Sequence, residues 1–341
     1  MSKKYGNIIL GIETSCDETA AALVEYKGGK FNILVNVVFS QIDIHKKYGG
    51  IVPEVAARNH LMDIIPVISQ TLSEAKINFK NISKIAVTNG PGLITSLIVG
   101  AQTAKTLAYV WQKPISGINH LKAHMYANWL SNKKIKFPSI CLLVSGGHTE
   151  LILVKAENKF KKIGQTLDDA AGEAFDKVAQ MLEIGYPGGP IISELASKGN
   201  PLAFKFARPM INSNDFNFSF SGLKTSVLYT IKKISKQKMK KYQLKADICA
   251  SFQQAAVEVL VNKTIKAVKA TKARTVMLSG GVAANELLRQ NIKKEAELLK
   301  IDFYVPPLPL CTDNAAMIAV AGFFEKEIVW NKLKVDPNLE I

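Results

Sequence analysis

The sequence predicts an α/β protein built from two similar domains, and three observations support this prediction. The chain has 341 residues, which is beyond the size at which one hydrophobic core stops growing. Apolar residues make up 48% of the chain and charged residues 21%, as in ordinary globular proteins. The order of strand and helix patterns in the first half returns in the second. The chain is therefore expected to contain a duplicated βββαβαβα unit.

The first half alternates short β-branched runs with longer runs of helical spacing. The short runs predict strands because turn residues bound them, and the longer runs predict helices. Pro53 suits the first turn of a helix, where its missing amide hydrogen costs nothing. In chain order we expect strands at 7–13, 19–25 and 31–40, a helix at 53–75, a strand at 85–88, a helix at 93–111, a strand at 115–118 and a helix at 120–130.

The same order restarts at Ser139 and continues almost to the end of the chain. We expect strands at 140–144, 149–154 and 160–163, a helix at 171–182, a polar and loop-rich insert at about 186–245, a helix at 246–270, a strand at 275–278, a helix at 283–299, a strand at 303–305 and a helix at 313–325. The predicted domains are therefore 1–135 and 136–330, followed by a tail at 331–341.

A duplicated unit of this order is typical of the actin, sugar-kinase and heat-shock ATPase (ASKHA) superfamily. Proteins of that superfamily have a cleft between their two domains, so an interdomain cleft is expected here too. The fold alone does not identify the chemistry.

Two glycine turns follow strands at corresponding places in the second domain. Ser145-Gly146-Gly147 ends the strand at 140–144, and adjacent glycines can take positive φ and bring backbone amides close to an anion. Ser279-Gly280-Gly281 repeats the turn before a helix, where Asn285 offers both a donor and an acceptor. A phosphate site is predicted because the pattern recurs. Nearby, Asp176 could bind ribose hydroxyls, and Gly189 permits close backbone approach to a base.

The turn between the first two strands carries two acids, Asp17 and Glu18. In the superfamily named above, this turn faces the nucleotide phosphates, so both acids are candidates for catalysis. The alternative is a tight hairpin whose Asp and Thr side chains bond their own backbone.

His120 and His124 are spaced i, i+4, which places both imidazoles on one face of a helix. Such a pair can chelate one divalent ion. Leu121 occupies the position where a zinc protease has its general base, which argues against a metalloprotease. Asp313 lies at a predicted helix N-terminus, where by itself it is a good cap.

The net charge of +16 suggests a nucleic-acid partner, because basic surfaces bind phosphate backbones. Most of the basic residues are lysines, however, so the excess could also reflect an AT-rich genome. The densest run, 232–245, is either a docking surface for nucleic acid or an ordinary solvated face.

Membrane insertion and secretion are not expected. No apolar run approaches the ~20 residues that span a bilayer, and the N-terminal apolar run meets Glu13 and Asp17 where a signal peptide needs a cleavage site. The four cysteines form no C-x-x-C pair, so no disulfide framework or thiolate zinc site is predicted. We expect a cytoplasmic protein.

Taken together, the motifs resemble those of the tRNA N6-adenosine threonylcarbamoyltransferase family, formerly called O-sialoglycoprotein endopeptidase or glycoprotease, in its bacterial form. The resemblance runs in order from Gly6 to about Phe324. It is carried by G-I-E-T-S-C-D-E-T from Gly11, N-G-P-G from Asn89, H-L-K-A-H from His120, L-L-V-S-G-G-H-T-E from Leu142, D-D-A-A-G-E-A-F-D-K from Asp168, Y-P-G-G-P from Tyr186, F-S-F-S-G-L-K from Phe218, S-G-G-V-A-A-N from Ser279 and C-T-D-N-A-A-M from Cys311.

The resemblance implies an acyltransferase of tRNA modification. Such enzymes transfer threonylcarbamoyl from threonylcarbamoyl-AMP to N6 of adenosine 37, in tRNAs that read codons beginning with adenine, and release AMP. It implies one divalent metal, usually Fe²⁺ with Zn or Mg possible, held by His120, His124 and Asp313. The implied substrate contacts are Leu143, Val144, Ser145, Gly146, Gly147, Asp176, Gly189 and Asn285.

The resemblance also implies partners. These are tRNA, a degenerate paralogue of the same fold (TsaB-like) and a small P-loop ATPase (TsaE-like). Three alternatives remain at this stage: an actin-like ATPase or sugar kinase, a noncatalytic nucleic-acid-binding protein and the disfavoured metalloprotease.

Overall fold

The computed structural model describes residues 6–239 and 241–341. These residues form two compact units, each with its own five-stranded sheet. The first unit contains the chain up to Lys134 together with Pro306–Ile341, and the second contains Ile135–Val305.

The first unit has a mixed sheet with the strand order β3-β2-β1-β4-β5. Strand β2 is antiparallel to both β1 and β3, whereas β4 is parallel to β1 and β5 is parallel to β4. Its strands are β1 Asn7–Glu13, β2 Glu18–Lys27, β3 Lys30–Ser40, β4 Ile82–Gly90 and β5 Ile115–Asn119, and its helices are α1 Ile42–His45, α2 Pro53–Ala75, α3 Ile94–Trp111, α4 His120–Tyr126 and α11 Ala315–Phe324.

The second unit repeats this topology with the order β10-β9-β6-β7-β8. Again three strands are antiparallel, and two more run parallel to the first of them. Its strands are β6 Ser139–Val144, β7 Thr149–Ala156, β8 Lys159–Gln165, β9 Thr275–Ser279 and β10 Asp302–Tyr304, and its helices are α5 Ala171–Met181, α6 Gly188–Ala196, α7 Ser221–Lys233, α8 Lys236–Met239, α9 Tyr242–Thr271 and α10 Glu286–Leu298. The predicted duplication and two-domain α/β class are confirmed.

Short 3₁₀ turns join several of these elements. They span Lys46–Tyr48, Phe79–Asn81, Ala127–Ser131, Gly281–Ala284, Leu308–Leu310 and Trp330–Lys332. The helix expected at 120–130 is thus α-helical only to Tyr126 and tightens afterwards.

Strand β1 is the centre of the first unit because helices cover both of its faces. Ile8, Leu10 and Ile12 join the apolar cluster that α2 and α3 complete. The alternate residues face α11, so a side chain at Gly11 would collide with the Ala315 carbonyl. Alternation with both faces buried explains why the whole strand is apolar until Glu13.

The segment 306–330 packs with a different unit from the one that the sequence analysis predicted. We expected it in the second domain, with a separate tail after it, but it packs with the first unit. The reason is α11, which is apolar on nearly every side and buries itself against β1, β2 and β4. A helix without a polar face must be covered all round.

The insert at about 186–245 was expected to be loop-rich, which holds for 197–220, where the chain forms turns and loops between α6 and α7. The insert was not expected to contain helices, and in this the prediction was wrong. It contains α6, α7 and α8. Two buried pairs on α6 and α7 are spaced i, i+4, which is the usual signature of a helix packed on one face. They are Ile192 and Ala196 on α6, and Leu223 and Val227 on α7.

Among the described residues, no helix is long and apolar enough to cross a membrane.

Candidate functional site

Three side chains of the first unit converge in an arrangement that can bind a metal. His120 is the first residue of α4, directly after β5, and His124 lies one turn further on. Asp313 immediately precedes Asn314, the N-cap of α11. Its Oδ1 lies 3.1 Å from Nε2 of His124 and 3.4 Å from Nε2 of His120. One ligand atom from each residue lies within 4.8 Å of the others.

Glu13 orients His120 from beneath. It is fully buried at the end of β1, and its Oε2 lies 3.0 Å from Nδ1 of His120. Thr88 donates to the same oxygen at 2.6 Å. A carboxylate only accepts, so Nδ1 carries a hydrogen, and Nε2 points toward Asp313. Sequence reasoning missed Glu13, although a buried charge at the end of an apolar strand is a usable signal.

The pKa values in this cluster show a strongly negative environment. Burial opposes the charged form of His120, but Asp313 and Glu13 outweigh it and hold the pKa of His120 well above its ordinary value. Burial likewise opposes ionisation of Asp313 and Glu13, yet His120 lowers the pKa of both. The site is therefore suited to positive charge.

The residues fit a divalent ion. Two imidazole nitrogens and one carboxylate form the donor set of non-haem Fe²⁺ sites, and zinc also accepts it. In addition, Nδ1 of His124 is buried without a hydrogen-bond partner among the described residues. Buried polar atoms without a partner are rare in folded proteins, so this nitrogen is a further feature of the site that contacts within the protein do not explain.

The acidic turn lies between β1 and β2 and is held from outside by α2. Nε2 of His60 donates to the Cys16 carbonyl at 3.0 Å, and Thr19 donates to Nδ1 of His60 at 2.7 Å. Burial lowers the pKa of His60, which therefore stays neutral. This anchor was not foreseen from the sequence.

Glu18 differs from an ordinary surface acid. Burial, followed by the charges of Asp313 and Asp17, raises its pKa well above the usual range. Its carboxyl is hydrogen-bonded to Asp17, and Ser40 donates to it at 3.2 Å. Glu18 and Asp17 thus form an acid pair in which Glu18 retains its proton more readily than a free carboxyl.

The glycine turns of the second unit lie at one edge of its sheet, because β6 and β9 are parallel neighbours. The amides of Gly146 and Gly147 donate no hydrogen bond to any described residue, and both glycines are exposed. Neither has the positive φ that the sequence suggested, which only Gly280 adopts in these two turns, at 88°. The exposed amides nevertheless remain free to meet an anion.

The side chains of two other predicted substrate contacts, Asp176 and Asn285, lie in the same unit but already have hydrogen-bond partners within the protein. Asp176 accepts hydrogen bonds from the amides of Gly188 and Gly189 and so caps α6, while burial raises its pKa. Asn285 caps α10 through Oδ1, and its Nδ2 donates to Gln253 at 2.7 Å and to Ser193. Both functional groups of Asn285 therefore have partners within the protein.

The side chains of Leu143 and Val144 are fully buried in β6, so only their backbone could reach a ligand. Ser145 closes its turn by donating from its amide to the His148 carbonyl at 2.8 Å. The α5 helix approaches this turn so closely that a side chain at Gly172 would lie 2.5 Å from the Ser145 carbonyl. The sequence analysis did not identify Gly172.

Comparison with known proteins identifies the family. The family model described as TsaD, tRNA N6-adenosine threonylcarbamoyltransferase, matches residues 32–320. A protein of that name from Thermosipho africanus is 51% identical over 337 residues, covering 98% of this chain and 100% of the relative. Another from Syntrophomonas wolfei is 51% identical, covering 93% and 92%.

The chain belongs to the tRNA N6-adenosine threonylcarbamoyltransferase family. As a member of this family, the protein is a transferase, and neither the kinase or ATPase alternative nor the protease alternative is favoured.

Solved structures outside this family share the fold. HypF from T. kodakarensis superimposes with a TM-score of 0.62 at 16% identity, covering 95% of this chain and 48% of HypF, so this chain spans about half of HypF. Component A of (R)-2-hydroxyglutaryl-CoA dehydratase from Acidaminococcus fermentans gives 0.52 at 16% identity, covering 94% and 98%. At such identities the likeness concerns the fold alone.

Proposed function

We propose that this protein transfers the threonylcarbamoyl group from threonylcarbamoyl-AMP to N6 of adenosine 37, in tRNAs that read codons beginning with adenine. The observation that carries the proposal is the convergence of His120, His124 and Asp313 in a chain about half identical to named transferases over nearly its full length. A cytoplasmic location follows from the tRNA substrate.

The proposed reaction is an acyl transfer. N6 of the adenine attacks the carbamoyl carbon, a new C–N bond forms, and the bond from that carbon to the AMP phosphate oxygen breaks. AMP leaves, and N6 loses one proton. An exocyclic adenine amine is a weak nucleophile, so positioning and stabilisation of charge on the carbonyl oxygen supply most of the rate.

One divalent ion is proposed at His120, His124 and Asp313, with Fe²⁺ as the first choice and Zn or Mg as alternatives. When bound, it would supply a positive charge for the attacked carbonyl group. Glu13 keeps one hydrogen of His120 on Nδ1, so Nε2 is the nitrogen that would bind the ion in exchange for its own proton. Carboxylate–histidine pairs of this kind both orient and strengthen metal ligands.

The proposed adenylate site lies in the second unit. The exposed amides of Gly146 and Gly147 would bind its phosphate, supported by the backbone from Leu143 to Ser145. Asp176, Gly189 and Asn285 are proposed for the nucleoside. The internal hydrogen bonds of Asp176 and Asn285 indicate that these two side chains shape the site as much as they contact a ligand.

Glu18 is our first choice for the proton acceptor, with Asp17 as its alternative. A general base works best when its pKa lies near the operating pH. The raised pKa of Glu18 supports this role over that of an ordinary acid. Asp17 shares the hydrogen bond and would stabilise the protonated form.

The protein partners proposed are the degenerate paralogue and the small P-loop ATPase that the family resemblance implied. tRNA itself must be held through its phosphates by exposed lysines. Four lysines that lie close together in sequence have exposed side chains and are proposed for this role: Lys232, Lys233, Lys238 and Lys241. Lys240, also in this run, lies outside the described residues.

A transfer assay with purified protein and its partners tests the proposal. Threonylcarbamoyl-AMP and unmodified tRNA should give AMP and modified adenosine with the wild type. His124→Ala and Asp313→Ala should each abolish transfer and reduce bound metal while the protein stays folded, because losing one of three ligands greatly weakens a chelate. Full activity with unchanged metal content in either variant would overturn the metal assignment.

A further inference from the structure

Residues 334–340, here called the C-terminal strap, cross the ends of β4 and β5 and include a turn in which the amide of Leu339 donates to the Asp336 carbonyl at 3.3 Å. The sequence L-K-V-D-P-N-L-E-I alternates apolar and polar residues from Leu333 onward. Val335, Pro337 and Leu339 are half-buried, whereas the polar residues between them are exposed. The strap is therefore part of the first unit's packing.

Several hydrogen bonds join the strap to the Asn89-Gly90-Pro91-Gly92 turn. The amide of Asp336 donates to the Asn89 carbonyl at 2.8 Å, and Nδ2 of Asn89 donates to the Lys334 carbonyl at 3.0 Å. A side chain at Gly90 would collide with the Asp336 carbonyl. The glycine in this turn is thus explained by the close approach of the strap.

Asn119 joins the strap to the metal-binding helix. Its Oδ1 accepts from the amide of Lys122 at 3.0 Å and caps α4, while Nδ2 donates to the carbonyls of Leu339 at 3.2 Å and Glu340 at 3.1 Å. Asn119 is only 5% exposed, and His120 follows it directly. One buried amide therefore connects the strap to the start of the ligand helix.

We propose that the C-terminal strap is a positioning element of the metal centre. By holding Asn119, it fixes the start of α4 and with it the directions of His120 and His124. The inference rests on the metal site proposed above and adds a group that acts through Asn119 without touching the ion. Outer groups that orient metal ligands commonly govern affinity as well as geometry.

Two variants of the protein test the strap. The first ends the chain at Leu333, which keeps that buried core side chain. The second, Asn119→Asp, retains the oxygen that caps α4 but loses the donor to the strap. Each should bind Co²⁺ about 10-fold more weakly than wild type and show an altered Co²⁺ visible spectrum. Because both variants break one link, combining them should add little further loss.

Asn78→Asp is the matched control. Asn78 also caps a short helix by accepting from the backbone amide of Lys80 at 3.0 Å. It precedes the start of β4, whereas the strap contacts the end of that strand. It should leave Co²⁺ affinity and spectrum unchanged. If wild type binds Co²⁺ and both strap variants match it in affinity and spectrum, the strap inference is overturned. If wild type itself binds no Co²⁺, the metal site on which the inference rests is overturned instead.

Discussion

Nδ1 of His120 lies 3.0 Å from Oε2 of Glu13, and this buried pair determines which imidazole nitrogen faces Asp313. The carboxylate can only accept, so the hydrogen stays on Nδ1. His124 has no comparable partner, since its Nδ1 is buried without one among the described residues. The two histidines of the proposed metal site thus differ in what orients them: a buried acid holds His120, whereas His124 has no such partner.

Glu13→Gln should weaken metal binding about 10- to 100-fold, the scale of losing an outer-shell partner. A glutamine can turn its NH₂ group toward Nδ1 of His120, which favours the tautomer with hydrogen on Nε2. That tautomer cannot offer Nε2 to an ion. Calorimetric titration with Zn²⁺ would measure the change.

Glu25→Gln provides a control for this change. Glu25 is a buried acid of the same sheet whose Oε1 accepts from the amide of Gly6 at 2.9 Å. Its substitution should leave metal affinity unaltered. Equal affinities for wild type and Glu13→Gln would show that the acid does not orient His120.

Gly146→Val should weaken AMP binding and leave stability almost unchanged. A side chain at Gly146 meets no atom within 4 Å and the residue lacks positive φ, so no strain is expected. The branched group would instead occupy the approach to the exposed amides. Calorimetric titration with AMP measures the change, and Gly50→Val is the control variant, which should bind AMP like wild type. If Gly146→Val also binds AMP with wild-type affinity, this turn does not bind the phosphate.

Gly280→Ala should have the opposite profile. Gly280 has φ of 88°, and an added side chain would collide with the Val144 carbonyl. Backbone strain of this kind costs roughly 1–3 kcal/mol. Urea unfolding should show a lowered free energy of unfolding, and a value equal to that of wild type would mean that the turn adapts without cost.

His60→Gln should flatten the dependence of stability on pH. Burial lowers the pKa of His60 below its ordinary 6.5, so below about pH 6.5 the unfolded chain binds a proton that the folded protein does not. The wild-type free energy of unfolding should therefore fall as pH drops through this range, and the variant should lose that part of the slope. Urea unfolding between about pH 5 and 8 tests this, and identical slopes would contradict it.

Neutralising Lys232, Lys233, Lys238 and Lys241 with glutamine should weaken tRNA binding and flatten its salt dependence. Each lysine–phosphate ion pair that is removed reduces the slope of log affinity against log salt by roughly 0.7 to 0.9. Lys245 is left intact because its Nζ donates to the Leu182 carbonyl at 2.6 Å, which gives it a structural role. Binding of AMP should not change.

Four exposed lysines elsewhere in the second unit form the control set: Lys155, Lys159, Lys161 and Lys294. Their neutralisation lowers the net charge equally. If both sets reduce the salt slope to the same extent, general charge and not this segment holds the tRNA. The tRNA contacts would then be expected in the first unit, near Arg58 and Lys122.

Local pattern was sufficient to predict the repeated strand order and the spacing of the two histidines. Each depends on residues close in sequence: alternating apolar residues define β1, and the i, i+4 rule relates His120 to His124. The same was true of the exposed glycines at 146 and 147, since turn chemistry is local.

Local pattern did not predict features that depend on distant residues, and Asp313 was grouped with His120 and His124 only through the family resemblance. Glu13 and His120 are 107 residues apart, and nothing in either neighbourhood indicates the contact. The packing of α11 against the first sheet was not predicted either. A helix that is apolar on all sides must be covered, but its own sequence does not specify which elements cover it. The packing of the C-terminal strap was also not predicted, although its alternation of apolar and polar residues indicates a segment with one buried face.

The most direct test of the proposed function is mass spectrometry of nucleosides from bulk tRNA of cells depleted of this protein. N6-threonylcarbamoyladenosine should disappear on depletion, return when the wild-type chain is restored and stay absent with Asp313→Asn, which keeps the shape of the side chain but weakens its ligation. An unchanged amount of the modified nucleoside in depleted cells would contradict the proposed function.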